Sequence, residues 1–175
     1  MSPSRFFGGF NDDFGFTVSS SGDNVVVGAY YDNYNGQATG SGYIFERDEA
    51  GTWTEVQNLS ASDGVTNWFG NSVSISGDSV VVGAIYDDDN GSASGSAYIF
   101  ERDAKGTWSE TAKLTASDGA AGDFFGESVS ISGDAVVVGA YQDDDNSTNS
   151  GSAYVFENYS VLNLDYGSKR YTSLA

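Results

Sequence analysis

Acidic side chains recur in three short loops of this sequence, and they are the residues with the clearest chemical potential. Each loop places carboxylates beside asparagine amides within a few positions. Oxygen ligands at this density suit Ca²⁺ better than any transition metal. The candidate metal ligands are Asp32, Asn33 and Asn35 in the first loop, Asp87, Asp88, Asp89 and Asn90 in the second, and Asp143, Asp144, Asp145 and Asn146 in the third.

Repulsion among neighbouring carboxylates is the physical argument for a bound cation, and Ca²⁺ is therefore the candidate cofactor. The alternative is that these loops are ordinary turns, because Asp, Asn and Gly are the residues that turns favour. None of the loops has EF-hand spacing, since its glycine comes too early and no bidentate glutamate closes it. Both interpretations stay open from the sequence alone.

Catalytic chemistry has little support in this chain. The sequence contains no cysteine and no histidine, which excludes thiolate nucleophiles, zinc sites of the usual kind and the commonest general base. Paired carboxylates can hydrolyse glycosides, but a catalytic pair normally breaks the symmetry of a repeat. No acidic residue here stands out from its copies, and we therefore expect no enzyme.

The overall charge narrows the class of partner. Twenty-five acidic residues against seven basic ones give a formal net charge of −18. Phosphate groups would be repelled, which argues against nucleic acid and anionic membranes as partners. A cation, a basic partner, a saline environment or solubility alone would each fit this charge. No stretch of the chain is long and apolar enough to predict a membrane span.

The three loops belong to three copies of one longer repeat. Phe-Gly begins at positions 14, 69 and 125, and Val-Val-Val-Gly-Ala follows at 25–29, 80–84 and 136–140. Gly-Ser-Gly/Ala-Tyr comes after each acidic loop, at 40–43, 95–98 and 151–154. The predicted units are a lead at 1–11, repeats at 12–66, 67–122 and 123–166, the last with an irregular final strand, and a tail at 167–175.

Each repeat reads as four β-strands. The segment 69–76 alternates large and small residues with period two, and Ser-Gly-Asp then predicts a tight hairpin into the valine run. The valine run and 97–100 are apolar on both sides, whereas 108–114 carries charges that mark an outer edge. The predicted fold is all-β, a propeller-like array of three four-stranded antiparallel blades that cover one another's faces. A β-sandwich is the alternative.

The repeated Phe-Gly, together with Gly-Ala at 28, 83 and 139, resembles the FG-GAP family of β-propeller repeats, although Tyr30, Ile85 and Tyr141 replace the family's proline. The resemblance implies a propeller of the kind found in integrin α-subunit heads. The calcium loop of integrin-type repeats lies between strands one and two. Here that connection is only Ser-Gly-Asp, too short to wrap a cation, and the family's calcium site does not carry over.

The acidic loops lie instead between strands two and three. In an up-and-down sheet these loops emerge at the same end as the connections between strand four and the next strand one. That rim is the ligand face of integrin-like propellers, as the resemblance implies. The candidate ligand-rim residues are Asp63, Trp68, Asp118 and Phe124. Trp68, Phe69, Phe124 and Phe125 could form a sugar-stacking platform, but packing between blades is the favoured interpretation.

Three blades cannot close a ring, since propellers have about four to eight. We expect other protein chains, in a homo- or hetero-oligomer, to complete the array, unless the chain is one piece of a longer propeller. The tail residues Lys169, Arg170 and Tyr171 form a candidate docking arm.

The predicted function is a non-catalytic protein–protein interaction or scaffold module within a larger assembly. The alternative is a secreted or cell-surface adhesin or lectin that binds glycan or protein through the acidic rim, with or without calcium. Four Asn-x-Ser/Thr sequons, at Asn58, Asn90, Asn146 and Asn158, add weak support for an exported, extracellular or surface protein.

Overall fold

A computed structural model describes residues 4–9, 11–33, 39–63, 67–145 and 147–157, and the backbone of 169–170. Within these residues the regular elements are twelve β-strands, and the all-β prediction is confirmed. The strands are β1 Thr17–Ser21, β2 Asn24–Ala29, β3 Ser41–Arg47, β4 Trp53–Leu59, β5 Phe69–Ser76, β6 Ser79–Ala84, β7 Ser96–Arg102, β8 Trp108–Leu114, β9 Phe125–Ser132, β10 Ala135–Ala140, β11 Ser152–Glu157 and β12 Lys169–Arg170.

The strands form three antiparallel sheets, each with its strands in sequence order. We call them blade 1 (β1–β4), blade 2 (β5–β8) and blade 3 (β9–β12). The predicted hairpin closes each first pair of strands, and Ser21 pairs with Asn24 across a two-residue loop in blade 1. Gly22 has a φ of 59°, as the first central position of a type II′ turn requires.

The valine strand of blade 2 is buried on both faces, as its composition predicts. In blade 2, Val80, Val81 and Val82 have 0% exposure. Val82 packs in one core cluster that includes Val26 of blade 1, and Val81 packs in a second cluster that includes Val136 of blade 3. The core of the molecule therefore lies between the blades, and each blade depends on a neighbour to cover its faces.

Glycines on the first two strands of the blades allow neighbouring blades to approach closely. A Cβ atom on Gly28 would lie 2.2 Å from the carbonyl oxygen of Gly70, and one on Gly83 would lie 2.0 Å from that of Gly126. Real Cβ atoms are essentially never found so near a backbone atom. The Gly-Ala of the first two repeats therefore serves contact between blades as well as strand pairing.

The N-terminal lead packs on blade 1. The ring of Phe6 lies 4.0 Å from that of Phe45, centroid to centroid. Residue 6 stands 55 positions before Ala61, which packs against the core cluster between blades 1 and 2. The lead is therefore the counterpart of the connection that precedes blade 2.

The outer strand of blade 3 is irregular. The segment expected to supply it, 158–166, lies outside the described residues. The backbone of β12 holds the outer position instead, with Arg170 opposite Tyr154 and Lys169 opposite Val155. Part of the predicted docking arm thus pairs with the chain's own third sheet, while Tyr171 lies outside the described residues.

Candidate functional site

The two sets of acidic connections meet at one rim, as the strand order predicts. In blade 2, carboxylate oxygens of Asp63, Asp87 and Asp89 all lie within 4.8 Å of one another. The equivalent residues of blade 3, Asp118, Asp143 and Asp145, form the same triad. Each triad takes one carboxylate from the connection before the blade and two from the loop between its second and third strands. Three converging carboxylates are an arrangement that can hold a cation.

A tyrosine lies at the base of the blade 2 triad. The hydroxyl of Tyr98 donates to Oδ2 of Asp87 at 2.8 Å, and it lies 2.9 Å from Oδ2 of Asp63. Tyr98 has 0% exposure and Asp87 has 2%. Burial, together with the hydrogen bond to Asp87, raises the pKa of the Tyr98 hydroxyl above its usual value. The phenol therefore stays protonated and serves as a donor.

Lys113 supplies the cation of this triad. Its Nζ atom lies 2.5 Å from Oδ2 of Asp63, 3.0 Å from Oδ2 of Asp87 and 2.6 Å from Oδ2 of Asp89. Burial opposes its positive charge, but the hydrogen bonds to these carboxylates outweigh burial and raise the pKa of Lys113. Burial likewise opposes the charge of Asp63, yet Lys113 and Tyr98 lower the pKa of this carboxyl.

The ammonium group accordingly lies where a calcium ion would have to sit in blade 2. Any metal at Asp63, Asp87 and Asp89 must displace Lys113 first. The charged pattern of 108–114 predicted an outer edge for Lys113 and did not predict this role. The available clue was the register of the last two strands, because β8 places Lys113 directly opposite Tyr98.

Blade 3 repeats the tyrosine part of this site. The hydroxyl of Tyr154 lies 2.8 Å from Oδ1 of Asp118 and 2.7 Å from Oδ2 of Asp143. Burial and these carboxylates raise the pKa of Tyr154. In backbone register Arg170 lies opposite Tyr154, as Lys113 lies opposite Tyr98. Both register positions carry a cationic residue.

Among its described residues, blade 1 keeps only one part of the arrangement. The Tyr43 hydroxyl donates to Oδ2 of Asp32 at 2.5 Å, and burial together with Asp32 raises the pKa of Tyr43. The residue 55 positions before Asp63 is Gly8, so this repeat has no carboxylate at the equivalent position. The tyrosine–aspartate pair is therefore the element common to the three blades.

The remaining predicted ligands are placed differently. Oδ1 of Asp88 accepts from the backbone N–H of Ala93 at 2.7 Å, which shapes the loop. The side-chain amide of Asn90 donates to the carbonyl of Ala116 at 3.3 Å. Asn33 and Asp144 are exposed. Asn35 and Asn146 lie outside the described residues.

A ladder of aromatic rings crosses all three blades near this rim. Consecutive ring centroids along it are 4.4 to 5.8 Å apart, within the range of favourable ring contacts. The aromatic ladder consists of Phe16, Tyr30, Tyr31, Trp68, Tyr86, Phe124 and Tyr141. Four of these rings are exposed, by 37% to 56%. A continuous, partly exposed aromatic stripe can offer a contact surface.

The structure separates the four aromatic residues that the sequence grouped at the blade junctions. Phe69 and Phe125 have 0% exposure and pack in the core between the blades. Trp68 and Phe124 belong to the half-buried ladder, and they adopt φ values of 55° and 54°. Positive φ is strained for a bulky side chain, and such strain is a feature often found at functional positions.

The family model of the FG-GAP repeat matches three consecutive segments, residues 8–45, 53–100 and 108–156. The chain belongs to the FG-GAP repeat family. A search of curated proteins returned no match. FG-GAP repeats generally take part in protein–protein or ligand binding.

The outward faces of the first and last FG-GAP blades are exposed where the equivalent internal faces are closed. On blade 2 the face toward blade 3 includes Val81, Ala97 and Ile99, all with 0% exposure. The same positions on blade 3 form its end face, Val137, Ala153 and Val155. Val137 is 40% exposed, Ala153 is exposed and Val155 is half-buried.

Blade 1 shows the opposite half of the same FG-GAP interface. Val73 of blade 2 faces blade 1 and is 8% exposed, whereas its equivalent, Val18, is 66% exposed. We define the end face of blade 1 by Val18, Ser20 and Gly22.

Among the described residues, no helix is long and apolar enough to cross a membrane.

Proposed function

We propose that this FG-GAP chain is a non-catalytic interaction and scaffold module that works within a larger protein assembly. The observation that supports the proposal most directly is the pair of end faces. Val137 is 40% exposed and Val18 is 66% exposed, whereas the equivalent valines of blade 2, Val81 and Val73, are 0% and 8% exposed. Apolar surface that blade 2 buries on both of its faces favours a partner at the two exposed end faces.

The chemistry of the rim fits a structural role better than a catalytic one. Asp87 and Asp143 are buried, each accepts a hydrogen bond from a tyrosine, and the two sites repeat. In blade 2 the carboxylates are further neutralised by Lys113. Groups committed in this way hold loops together, and their symmetry gives no distinct acid and base.

Native mass spectrometry and hydrogen-exchange measurements on the protein from its natural source test this proposal. The expected result is a particle heavier than one chain, with the end faces protected from hydrogen exchange. A single isolated chain that melts in one cooperative step, with both end faces unprotected, would contradict it. We further propose that the protein is exported, as the sequons and the FG-GAP family suggest; secretion of a full-length reporter fusion would test this.

Cation binding is a secondary part of the proposal. The triad of Asp118, Asp143 and Asp145 brings three carboxylates within 4.8 Å, an oxygen-rich arrangement suited to Ca²⁺. A ligand that binds only the native state must raise the melting temperature. A melt that millimolar calcium and EDTA both leave unchanged would remove calcium from the proposal.

A second candidate function is adhesion or lectin-type binding at the rim, and the aromatic ladder is the observation that favours it. Exposed rings such as Tyr86 and Tyr141 beside carboxylates resemble surfaces that stack sugars or bind cationic side chains. Glycan-array binding that is lost in Tyr86→Ala and kept in Val56→Ala, which changes a 44% exposed valine on an outer strand, would support this function. Absence of binding in both variants and the wild type would remove it.

A further inference from the structure

Building on the proposed assembly function, we propose that the partner at the end faces is a second copy of this chain. Blade 3 of one copy packs against blade 1 of the other, and the reverse junction closes the ring. The contacts of this junction follow from those that the two internal junctions have in common.

Serine hydroxyls make the first repeated contact. Oγ of Ser19 accepts from the backbone N–H of Ile75 at 3.2 Å across the junction of blades 1 and 2. Oγ of Ser74 accepts from the N–H of Ile131 at 3.2 Å across the next junction. Both serines lie on the first strand of one blade, β1 or β5, and both N–H groups lie on the first strand of the next blade, β5 or β9. The hydroxyls thereby satisfy N–H groups on the first strand of the neighbouring blade.

A second pair of contacts follows two residues further along. Oγ of Ser21 accepts from the N–H of Gly77 at 3.0 Å, and Oγ of Ser76 accepts from the N–H of Gly133 at 3.2 Å. The small alternating face that the sequence shows on these strands is thus a row of acceptors for the next blade.

The end faces offer both halves of this row. On blade 3, Ser130 and Ser132 are exposed, whereas their blade 2 equivalents, Ser74 and Ser76, are half-buried. On blade 1, Ser20 and Gly22 occupy the positions of Ile75 and Gly77. The repeat spacing therefore pairs Ser130 Oγ with the N–H of Ser20, and Ser132 Oγ with that of Gly22.

The close glycine approach is available at the end faces as well. A Cβ atom on Gly83 would lie 2.0 Å from the Gly126 carbonyl oxygen, whereas on Gly139 the nearest atom is the movable Ser128 Oγ at 2.4 Å. Among the described residues Gly139 has no such backbone partner, and the position that repeat spacing assigns to this partner is Gly15, beside which a Cβ atom would meet open space.

Two copies of this three-blade unit give six blades. Propellers have about four to eight blades, and six is the one multiple of three in that range. Two copies can therefore form a ring through two identical head-to-tail junctions.

Charge makes the self-association distinguishable from binding of a basic partner. Each copy has a formal net charge of −18, so two copies repel each other and added salt screens that repulsion. Self-association is therefore expected to tighten between about 0.05 and 0.5 M NaCl. Association with a basic protein would weaken over the same range.

Sedimentation velocity of the purified full chain at rising concentration and salt is the primary measurement. The wild type is expected to reach twice the mass of one chain. Val18→Asp and Val137→Asp each place a charge in both junctions and should remain single chains. Val56→Asp introduces the same change at a 44% exposed position outside the end faces, and it should still pair.

An equal mixture of the two variants tests the head-to-tail geometry. The Val18→Asp copy keeps an intact blade 3 face, and the Val137→Asp copy keeps an intact blade 1 face. One junction can therefore form, and the mixture should yield an open dimer that neither variant forms alone. Gly139→Ala is a second, smaller change that should also prevent ring closure while the chain stays folded.

Several outcomes would overturn self-pairing. One is a wild-type chain that stays single under all conditions, and another is a mixture of the two variants that does not pair. Pairing that survives both valine variants, or that Val56→Asp also abolishes, would equally contradict it. So would a natural source in which one longer chain supplies the further blades. If the purified chain is single but the natural particle contains a different protein on these faces, self-pairing fails and the proposed function stands. If both are single chains, both fail.

Discussion

The Nζ atom of Lys113 lies 3.0 Å from Oδ2 of Asp87, a carboxylate that is 2% exposed. The strand that carries Lys113 closes blade 2, and the loop that carries Asp87 connects two earlier strands of that blade. This ion pair, joined by Asp63 from the preceding connection, ties three separate segments of the chain together.

Replacing Lys113 by alanine should destabilise the protein. The change leaves three carboxylates facing one another with no counter-charge. The expected loss is about 2 kcal/mol, below the roughly 3–5 kcal/mol of a fully buried pair, because the Lys113 side chain is 21% exposed. In a chain of this length the melting temperature should fall by about 4–8 °C. Lys105→Ala removes the same charge at an exposed turn, and an equal effect there would contradict a local role for Lys113.

The same variant should acquire a response to calcium. Without the ammonium group, Asp63, Asp87 and Asp89 offer oxygen atoms within 4.8 Å of one another, which a divalent cation can bridge. Millimolar Ca²⁺ should raise the melting temperature of Lys113→Ala by more than it raises that of the wild type. Lys113→Met tests whether filling the space prevents this. Equal calcium responses in wild type and Lys113→Ala would show that the blade 2 triad binds no cation.

Replacing Asp123 by asparagine should stabilise the protein near neutral pH. Burial, reinforced by the charges of Asp143 and its neighbours, raises the pKa of Asp123, so its ionised form is less stable in the folded state. The equivalent residue of blade 2 is already an amide, and Asn67 donates to Oδ2 of Asp87 at 2.9 Å. Asn at 123 can make the same contact with Asp143, and we expect a gain of about 1 kcal/mol.

The pH dependence of this gain has a defined sign. A carboxyl whose folded pKa is raised costs stability only where it is ionised, so the advantage of Asp123→Asn should be complete at pH 7. It should shrink as the pH falls through the raised pKa and vanish near about pH 3, where the aspartate is protonated in both states. Thermal melts of both proteins at several pH values measure this, and a gain independent of pH would contradict the electrostatic cause.

Replacing Gly83 by alanine should be far more damaging than the matched change at Gly139. At Gly83 the new Cβ meets the backbone oxygen of Gly126 at 2.0 Å, whereas at Gly139 it meets a serine hydroxyl that can rotate away. We expect a loss of about 3 kcal/mol for the first variant and less than about 1 kcal/mol for the second in the single chain. Denaturant unfolding measures both, and similar losses would argue against close contact between blades at Gly83.

Local patterns predicted the strands and turns well because their causes lie within a few residues. Ser-Gly-Asp specifies the hairpin through the φ of Gly22, and the valine run specifies a buried strand at Val80 to Val82. The convergence of Asp63 with Asp87 also followed from the order of strands in an up-and-down sheet. These predictions needed no knowledge of how side chains from distant segments meet.

The role of Lys113 could not be predicted in this way. It lies 50 positions from Asp63 and 26 from Asp87, and its outward or inward direction depends on the register of β8. The division between core rings such as Phe69 and ladder rings such as Trp68 likewise depends on a positive φ that period-two alternation does not anticipate.

From the sequence one could predict the repeat, its four-strand unit, the family and the end of the blades at which the carboxylates gather, since each follows from local pattern and repeat spacing. Only the folded structure shows that a lysine neutralises the blade 2 triad and that the end faces of blades 1 and 3 are exposed. These depend on contacts between segments far apart in the chain, whose energies are set by packing and burial in three dimensions.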